Sequence, residues 1–193
     1  GRSSVAIASA LATGGRLYCI DPWWDDLYSP DSFDVGDHYG EWLDKMTAYH
    51  LFRRNIRQMG VDERIVPLIA ASHDVDKYFR DDTLDMIFLD GDHSEPMILK
   101  DLLKWQPKCR EDAVICGDDY DMPGVKKAVD AVAKLKGYKV EVSCEGKLWE
   151  YRKWEPSKRT SNTCMSLHME NVMALVMKSH PISVAPNILL LML

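Results

Sequence analysis

Short apolar runs alternate with longer amphipathic stretches over most of this chain. RLYCI (16–20), RIVPLIA (64–70), LDMIFL (84–89) and AVICG (113–117) are each brief, nearly all apolar and closed by polar residues. That is the pattern of strands buried on both faces. Between them the period changes. Leu43, Met46, Tyr49, Phe52, Ile56 and Met59 recur at helical spacing and predict a helix over 41–59, stopped by Gly60. Ser94, Glu95 and Pro96 give an N-cap, an acidic first turn and an early proline to a helix reaching about Trp105. Pro123 and Gly137 bracket another at 123–136, and VAIASALA after the opening GRSS predicts the first. Segments 138–144 and 147–153 flank Glu145-Gly146 as a hairpin.

This alternation predicts an α/β fold: a doubly wound, mostly parallel sheet with helices on both faces and a C-terminal antiparallel hairpin. Ligands of such sheets bind outside the carboxyl ends of the strands. The polar residues at those ends are Asp21, then Ser72, then Asp90 with His93, then Asp118 with Asp119. They are expected to face one crevice. One Asp after a strand is an ordinary loop residue; four strand ends with chemistry-bearing residues point to a site.

Composition divides the chain near residue 156. All 18 aromatic residues precede residue 155, while 157–193 hold five of the ten methionines and four charged residues. Residues 1–156 are therefore expected to be the functional domain, and 157–193 a tail outside it. Met165, Met169, Met173 and Met177 mark one apolar helix face in that tail. It reads as a docked helix or a non-native extension, with a membrane- or partner-binding helix as the alternative. The closing ILLLML is too short to span a bilayer. The net charge of −6 disfavours broad binding to nucleic-acid backbones. Five cysteines with no Cys-x-x-Cys pair and no signal-like start suit a reduced, cytoplasmic setting. The missing initiator Met predicts that the chain begins inside a longer protein.

The residues themselves suggest chemistry. Small residues in GRSS allow close approach of a ligand to a helix N-terminus. Asp21 follows Gly1 by twenty residues at the end of the next strand, a spacing suited to accepting hydrogen bonds from ribose hydroxyls. FLDGDHS (88–94) and GDDY (117–120) bring carboxylates to neighbouring strand ends, about 4.8 Å apart. Asp90, Asp118 and Asp119 could surround one hard cation such as Mg²⁺; the alternative is that some of these acids cap the following helices. His93 is a candidate general base, with metal ligation or a structural role as alternatives. His73 could line a nucleotide pocket. Trp23, Trp24 and Tyr28, in the long loop 22–42, could stack on a substrate or simply pack the loop.

The order GRSS–helix–strand–Asp21, IAASHD, TLDMIFLDGDHS and CGDDY resembles the class I S-adenosylmethionine-dependent methyltransferases, over roughly residues 1–154. It is most similar to their metal-dependent O-methyltransferases, of the catechol and macrocin types. The resemblance implies that Gly1, Ser3, Asp21, Ser72, His73 and Asp90 contact S-adenosylmethionine. It implies that Asp90, Asp118 and Asp119 hold the metal, that His93 is the base and that Asp90 shares in catalysis. Asp-Asp at 118–119 leans toward the macrocin type; Glu95-Pro96 stands where the pattern often has Tyr. The family's first strand would precede Gly1 and is missing from the sequence, which predicts a weakened cofactor site. The expected activity is metal-assisted O-methylation of a small-molecule hydroxyl, with no nucleic-acid partner, no membrane span and a homo-oligomer open. The alternatives are a non-catalytic binding domain of this fold, a nicotinamide-dependent oxidoreductase and a metal-dependent hydrolase.

Overall fold

The computed structural model describes residues 1–23 and 47–153, and the backbone of 188–192. Helix α1 (Arg2–Ala10) leads to strand β1 (Arg16–Asp21). Helix α2 (Thr47–Gln58) precedes β2 (Ile65–Ile69), and the single turn α3 (Ser72–Val75) follows it. Then come β3 (Leu84–Leu89), α4 (Glu95–Trp105), β4 (Cys109–Gly117) and α5 (Pro123–Lys136). Strands β5 (Tyr138–Ser143) and β6 (Leu148–Lys153) close the hairpin, and β7 (Ile188–Met192) is the last element. The expected helix start at 41–46 lies outside the described residues.

The strands form one sheet in the order β2-β1-β7-β3-β4-β6-β5. Pairing is parallel from β2 through β4 and antiparallel at β4–β6 and β6–β5. The sheet is thus mixed: the parallel reading holds for one side, and the hairpin makes the other antiparallel. Strand β4 also starts four residues earlier than its apolar run. The register slips between Leu84 and Met86, so Leu84 pairs with Cys109 and Met86 with Val114. Residues 110–112 are polar in sequence, so the pattern of hydrophobic positions could not show this extension.

Residues 154–187, which include most of the expected tail (157–193) and its Met165–Met177 face, also lie outside the described residues. The segment Ile188–Met192 is a strand. β7 pairs in parallel with β1 on one side and β3 on the other. β7 therefore takes the central place in the sheet, between β1 and β3.

Two cores flank the sheet. On one face α1 and α2 bring Ile7, Ala8, Phe52 and Ile56 against Leu17, Cys19, Met86 and Phe88. On the other, α4 and α5 bring Ile98, Leu102, Trp105, Val129 and Val132 against Ile20, Leu84 and Ile87. Successive strand residues point to opposite faces, which is why Ile87 and Phe88 fall in different cores. Helix α5 runs between its expected bounds. Pro123 supplies a fixed φ at the start, and Gly137 adopts φ 71° at the C-cap, a conformation that costs glycine little. Among the described residues no helix is long and apolar enough to cross a membrane.

Leu102 is fully buried between α4 and the sheet. Leu102→Ala is expected to cost about 2–5 kcal/mol, checked by urea unfolding followed through tryptophan fluorescence.

Candidate active site

The parallel strands deliver their carboxyl ends to one edge. β1 ends at Asp21, β3 is followed by Asp90, and β4 ends at Gly117 before Asp118. The Asp118 N–H donates to the Leu89 carbonyl at 2.9 Å, and the Trp149 indole N–H donates to the Asp118 carbonyl at 3.1 Å. These bonds lock the β4 end beside the β3 end. Gly117 is necessary there: a Cβ would lie 2.5 Å from the Leu89 carbonyl oxygen and 2.7 Å from the Trp149 ring.

At the β3 end, the Ser3 hydroxyl donates to Asp90 Oδ2 at 3.2 Å, tying the first turn of α1 to this carboxylate. Burial pushes the Asp90 carboxyl up to about 6. The charges of Asp118 and Asp119 add to the rise, while the Ser3 bond and His93 oppose it. Burial also raises Asp118, opposed by the N–H of Asp119. The edge is thus a partly buried, electron-rich patch suited to a cationic ligand.

His93 Nε2 lies 2.9 Å from Asp119 Oδ2. An ionised carboxylate only accepts, so Nε2 donates and Nδ1 is left as the acceptor nitrogen. Asp119 reaches His93 because its backbone is left-handed, φ 57°, an uncommon conformation for a residue with a Cβ. The α5 start packs directly beneath: a Cβ on Gly124 would fall 2.3 Å from the His93 carbonyl oxygen. Sequence reasoning missed Gly124 and Gly117. The one available signal was glycine directly after Pro123 at a helix start.

Nothing in the described residues supports the expected cation site of Asp90, Asp118 and Asp119. Among the described residues no group of three or more His, Cys, Asp or Glu is arranged to hold a metal ion. The acids feel one another's charge but aim elsewhere. Asp119 turns to His93, and Asp118 Oδ1 accepts the N–H of Asp119 at 2.8 Å. Asp92 Oδ1 accepts the Ser94 N–H at 2.6 Å in the turn before α4, whose N-cap residue Ser94 makes no side-chain capping bond.

At the β1 end, Asp21 Oδ1 accepts the Trp23 N–H at 2.6 Å. Trp23 is buried, with ring centroids 5.2 Å from Phe52 and 5.1 Å from Tyr49, so its own ring packs onto α2. Trp24 and Tyr28 lie outside the described residues. Gly1 packs on the same wall, where a Cβ would come 2.9 Å from the Phe52 ring. After β2, the Ser72 hydroxyl donates to Asp101 of α4 at 2.5 Å, and Lys104 donates to the His73 carbonyl at 2.7 Å. Asp101 and Lys104, a helical turn apart, were not foreseen as anchors of this segment. His73 Nδ1 is buried with no protein hydrogen-bond partner. A buried ring nitrogen without a partner is costly unless a ligand or water satisfies it, and this one belongs to the pair expected beside an adenine.

A doubly wound sheet with a small-residue helix start, an acid after β1 and acids after β3 and β4 defines a class I S-adenosylmethionine-dependent methyltransferase fold. Comparison with known families gives the same result: residues 1–120 match the family described as a methyltransferase domain. The chain belongs to that family. Among solved structures it is similar to a methyltransferase from Geobacter sulfurreducens (16% identity, TM-score 0.50), covering 75% of this chain and 62% of that one. It is also similar to the O-methyltransferase NovP (17% identity, TM-score 0.52), covering 72% of this chain and 60% of that one. At these identities the likeness concerns the fold. The chain spans about three fifths of both proteins. A comparison with curated proteins found no match.

Asp90 gives a stability test with a defined sign. Its folded-state pKa lies above the unfolded value, so its contribution is fully present below about pH 4 and is lost as pH rises through about 6. Asp90→Asn removes the buried charge. The variant is expected to gain on the order of 2 kcal/mol over the parent at pH 8 and nothing near pH 4, read from urea midpoints at both pH values.

Proposed function

We propose that the chain is an S-adenosylmethionine-dependent O-methyltransferase acting on a small-molecule hydroxyl such as a phenol, catechol or sugar. The observation that carries this reading is the meeting of two hydrogen-bonded pairs at adjacent strand ends, Ser3 with Asp90 and His93 with Asp119. One pair suits holding a cationic cofactor and the other suits taking a proton. When bound, S-adenosylmethionine supplies an electrophilic methyl group on a sulfonium.

The chain's own groups then have separable tasks. Asp21 accepts hydrogen bonds from ribose hydroxyls, and Ser72 and His73 border the adenine, with the buried Nδ1 of His73 available to it. Gly1 and Ser3 border the methionine part. Asp90 and Asp118 offer negative charge to its cationic groups, an attraction strengthened by partial burial. His93 receives the acceptor hydroxyl's proton at Nδ1. Asp119 holds the ring by Nε2 and places its charge against the imidazolium that forms, as the third member of a catalytic triad does. The described carboxylates do not fit a metal centre, so no step is assigned to Mg²⁺.

The primary test is calorimetric titration of S-adenosylhomocysteine, which probes the pocket without the unidentified acceptor. Micromolar binding, weakened about tenfold or more by Asp21→Ala, is the expected result. No binding, or binding of a nicotinamide dinucleotide instead, would overturn the reading. Against a panel of phenols, catechols and glycosides, His93→Ala is expected to lower turnover by about 10²-fold or more with cofactor affinity unchanged. Turnover equal to the parent's would remove His93 as the base.

A further inference from the structure

The two edges of the sheet are built differently. Strand β2 forms one edge and carries Pro67 at its middle, opposite Cys19 of β1. Proline has no N–H to donate, so it blunts an edge against a further strand. Strand β5, Tyr138–Ser143, forms the other edge and has neither proline nor glycine. Among the described residues its ladder is with β6 alone, unbroken from Tyr138 opposite Lys153 to Ser143 opposite Leu148. A regular ladder on one side of a strand leaves a regular row of backbone groups on the other.

Side chains alternate along β5. Tyr138 and Val140 pack against the core under α4 and α5, and Val142 shares their face but is 43% exposed. Lys139 and Glu141 stand on the opposite face, 58% and 47% exposed. Within the chain Glu141 meets Lys139 at 3.3 Å and Arg152 at 3.3 Å. Ion pairs this exposed are worth little by themselves.

These positions restrict how β5 can pair with a copy of itself. In an antiparallel ladder, residues directly opposite either both aim their N–H and C=O at each other or both aim them away. Those directions alternate along each strand. The two-fold axis relating two copies of one strand therefore falls at a residue, not between residues. An axis at Val140 pairs 138–142, an axis at Glu141 pairs 139–143, and any other pairs a shorter part of β5. The axis at Glu141 sets two glutamates opposite each other, which is repulsive. The axis at Val140 sets Lys139 opposite Glu141 twice, by symmetry. It also sets Tyr138 opposite Val142, an aromatic against a β-branched side chain, and so covers the exposed valine. A lone lysine on an edge discourages strand addition, but a copy of β5 brings Glu141 to meet it.

We propose that β5 is a homodimer interface, in which two copies of this chain join antiparallel through Tyr138–Val142 with the two-fold axis at Val140. Both copies use the same patch, so the assembly closes at two, and the outer β2 edges are blunted by Pro67. The pairing does not depend on the methyltransferase reading.

Sedimentation of the full chain between about 1 and 100 µM should show a monomer–dimer equilibrium with no larger species. Monomer throughout, or assemblies beyond the dimer, would overturn the proposal. Charge reversal then locates the interface. Lys139→Glu and Glu141→Lys each oppose like charges in their own homodimers, and each should dimerise about tenfold more weakly or worse. Mixed in equal amounts, the two variants oppose unlike charges at both pairs, so a heterodimer should recover most of the parent's affinity. A misfolded variant could not recover on mixing, so recovery separates the interface from folding. Dimerisation of both variants at the parent's strength, or weakening without recovery, overturns the register. In the parent dimer formed from differently labelled copies, NMR should show backbone contacts between residue 139 of one copy and residue 141 of the other. Their absence from a dimer overturns the proposal whatever the variants do.

Discussion

The parallel hydrogen-bond ladder from β2 through β4 aligns five strand ends at one edge of the sheet. Everything chemical in this molecule depends on that alignment. Parallel strands need crossover connections, and the helices in those connections cover both faces of the sheet. The residues after each strand are then the ones left at the open edge. Asp21, Asp90 and Asp118 reach the same edge across sequence gaps of 69 and 28 residues because of the ladder.

Placing acids at that edge has an energetic cost. Asp90 is held in surroundings that favour its neutral form, and Asp118 is shifted in the same direction. A protein selected only for stability would put an amide or an apolar residue there. Asp119 adds a second cost by adopting a left-handed backbone to reach His93. Uncompensated charge and backbone strain, concentrated at one strand edge, are features of a site arranged for a ligand rather than for the folded chain alone. The cost is met by the two apolar cores, in which Ile7, Leu17, Leu102 and Trp105 are fully enclosed.

In the proposed reading, the arrangement also separates holding from reacting. Ser3 and Asp90 connect the start of α1 to the β3 end, and His93 and Asp119 connect the α4 approach to the β4 end. The two pairs are adjacent, and each is fixed by its own backbone contacts. Trp149 and the Leu89 carbonyl hold the β4 turn. The missing Cβ of Gly124 lets α5 lie directly against His93.

Sequence alone determined the local features. Apolar runs ending in polar residues marked β1, β2 and β3, the Pro123 and Gly137 signals bounded α5, and Glu145-Gly146 marked the hairpin, because each depends on neighbours along the chain. It also picked out the strand-end residues, since the carboxyl edge follows from strand direction. Tertiary structure decided what depends on distant partners. The periodicity around Met165–Met177 says nothing of where Ile188–Met192 pairs, and its place between β1 and β3 follows only from its pairing with both strands. Likewise, the motifs at 90–93 and 118–119 specified carboxylates and an imidazole but not their directions. The left-handed turn at Asp119 and the close approach of Gly124 aimed Asp119 at His93 rather than at a shared ion. Side-chain direction at a loop is set by packing from other elements, and that information is not local to the loop.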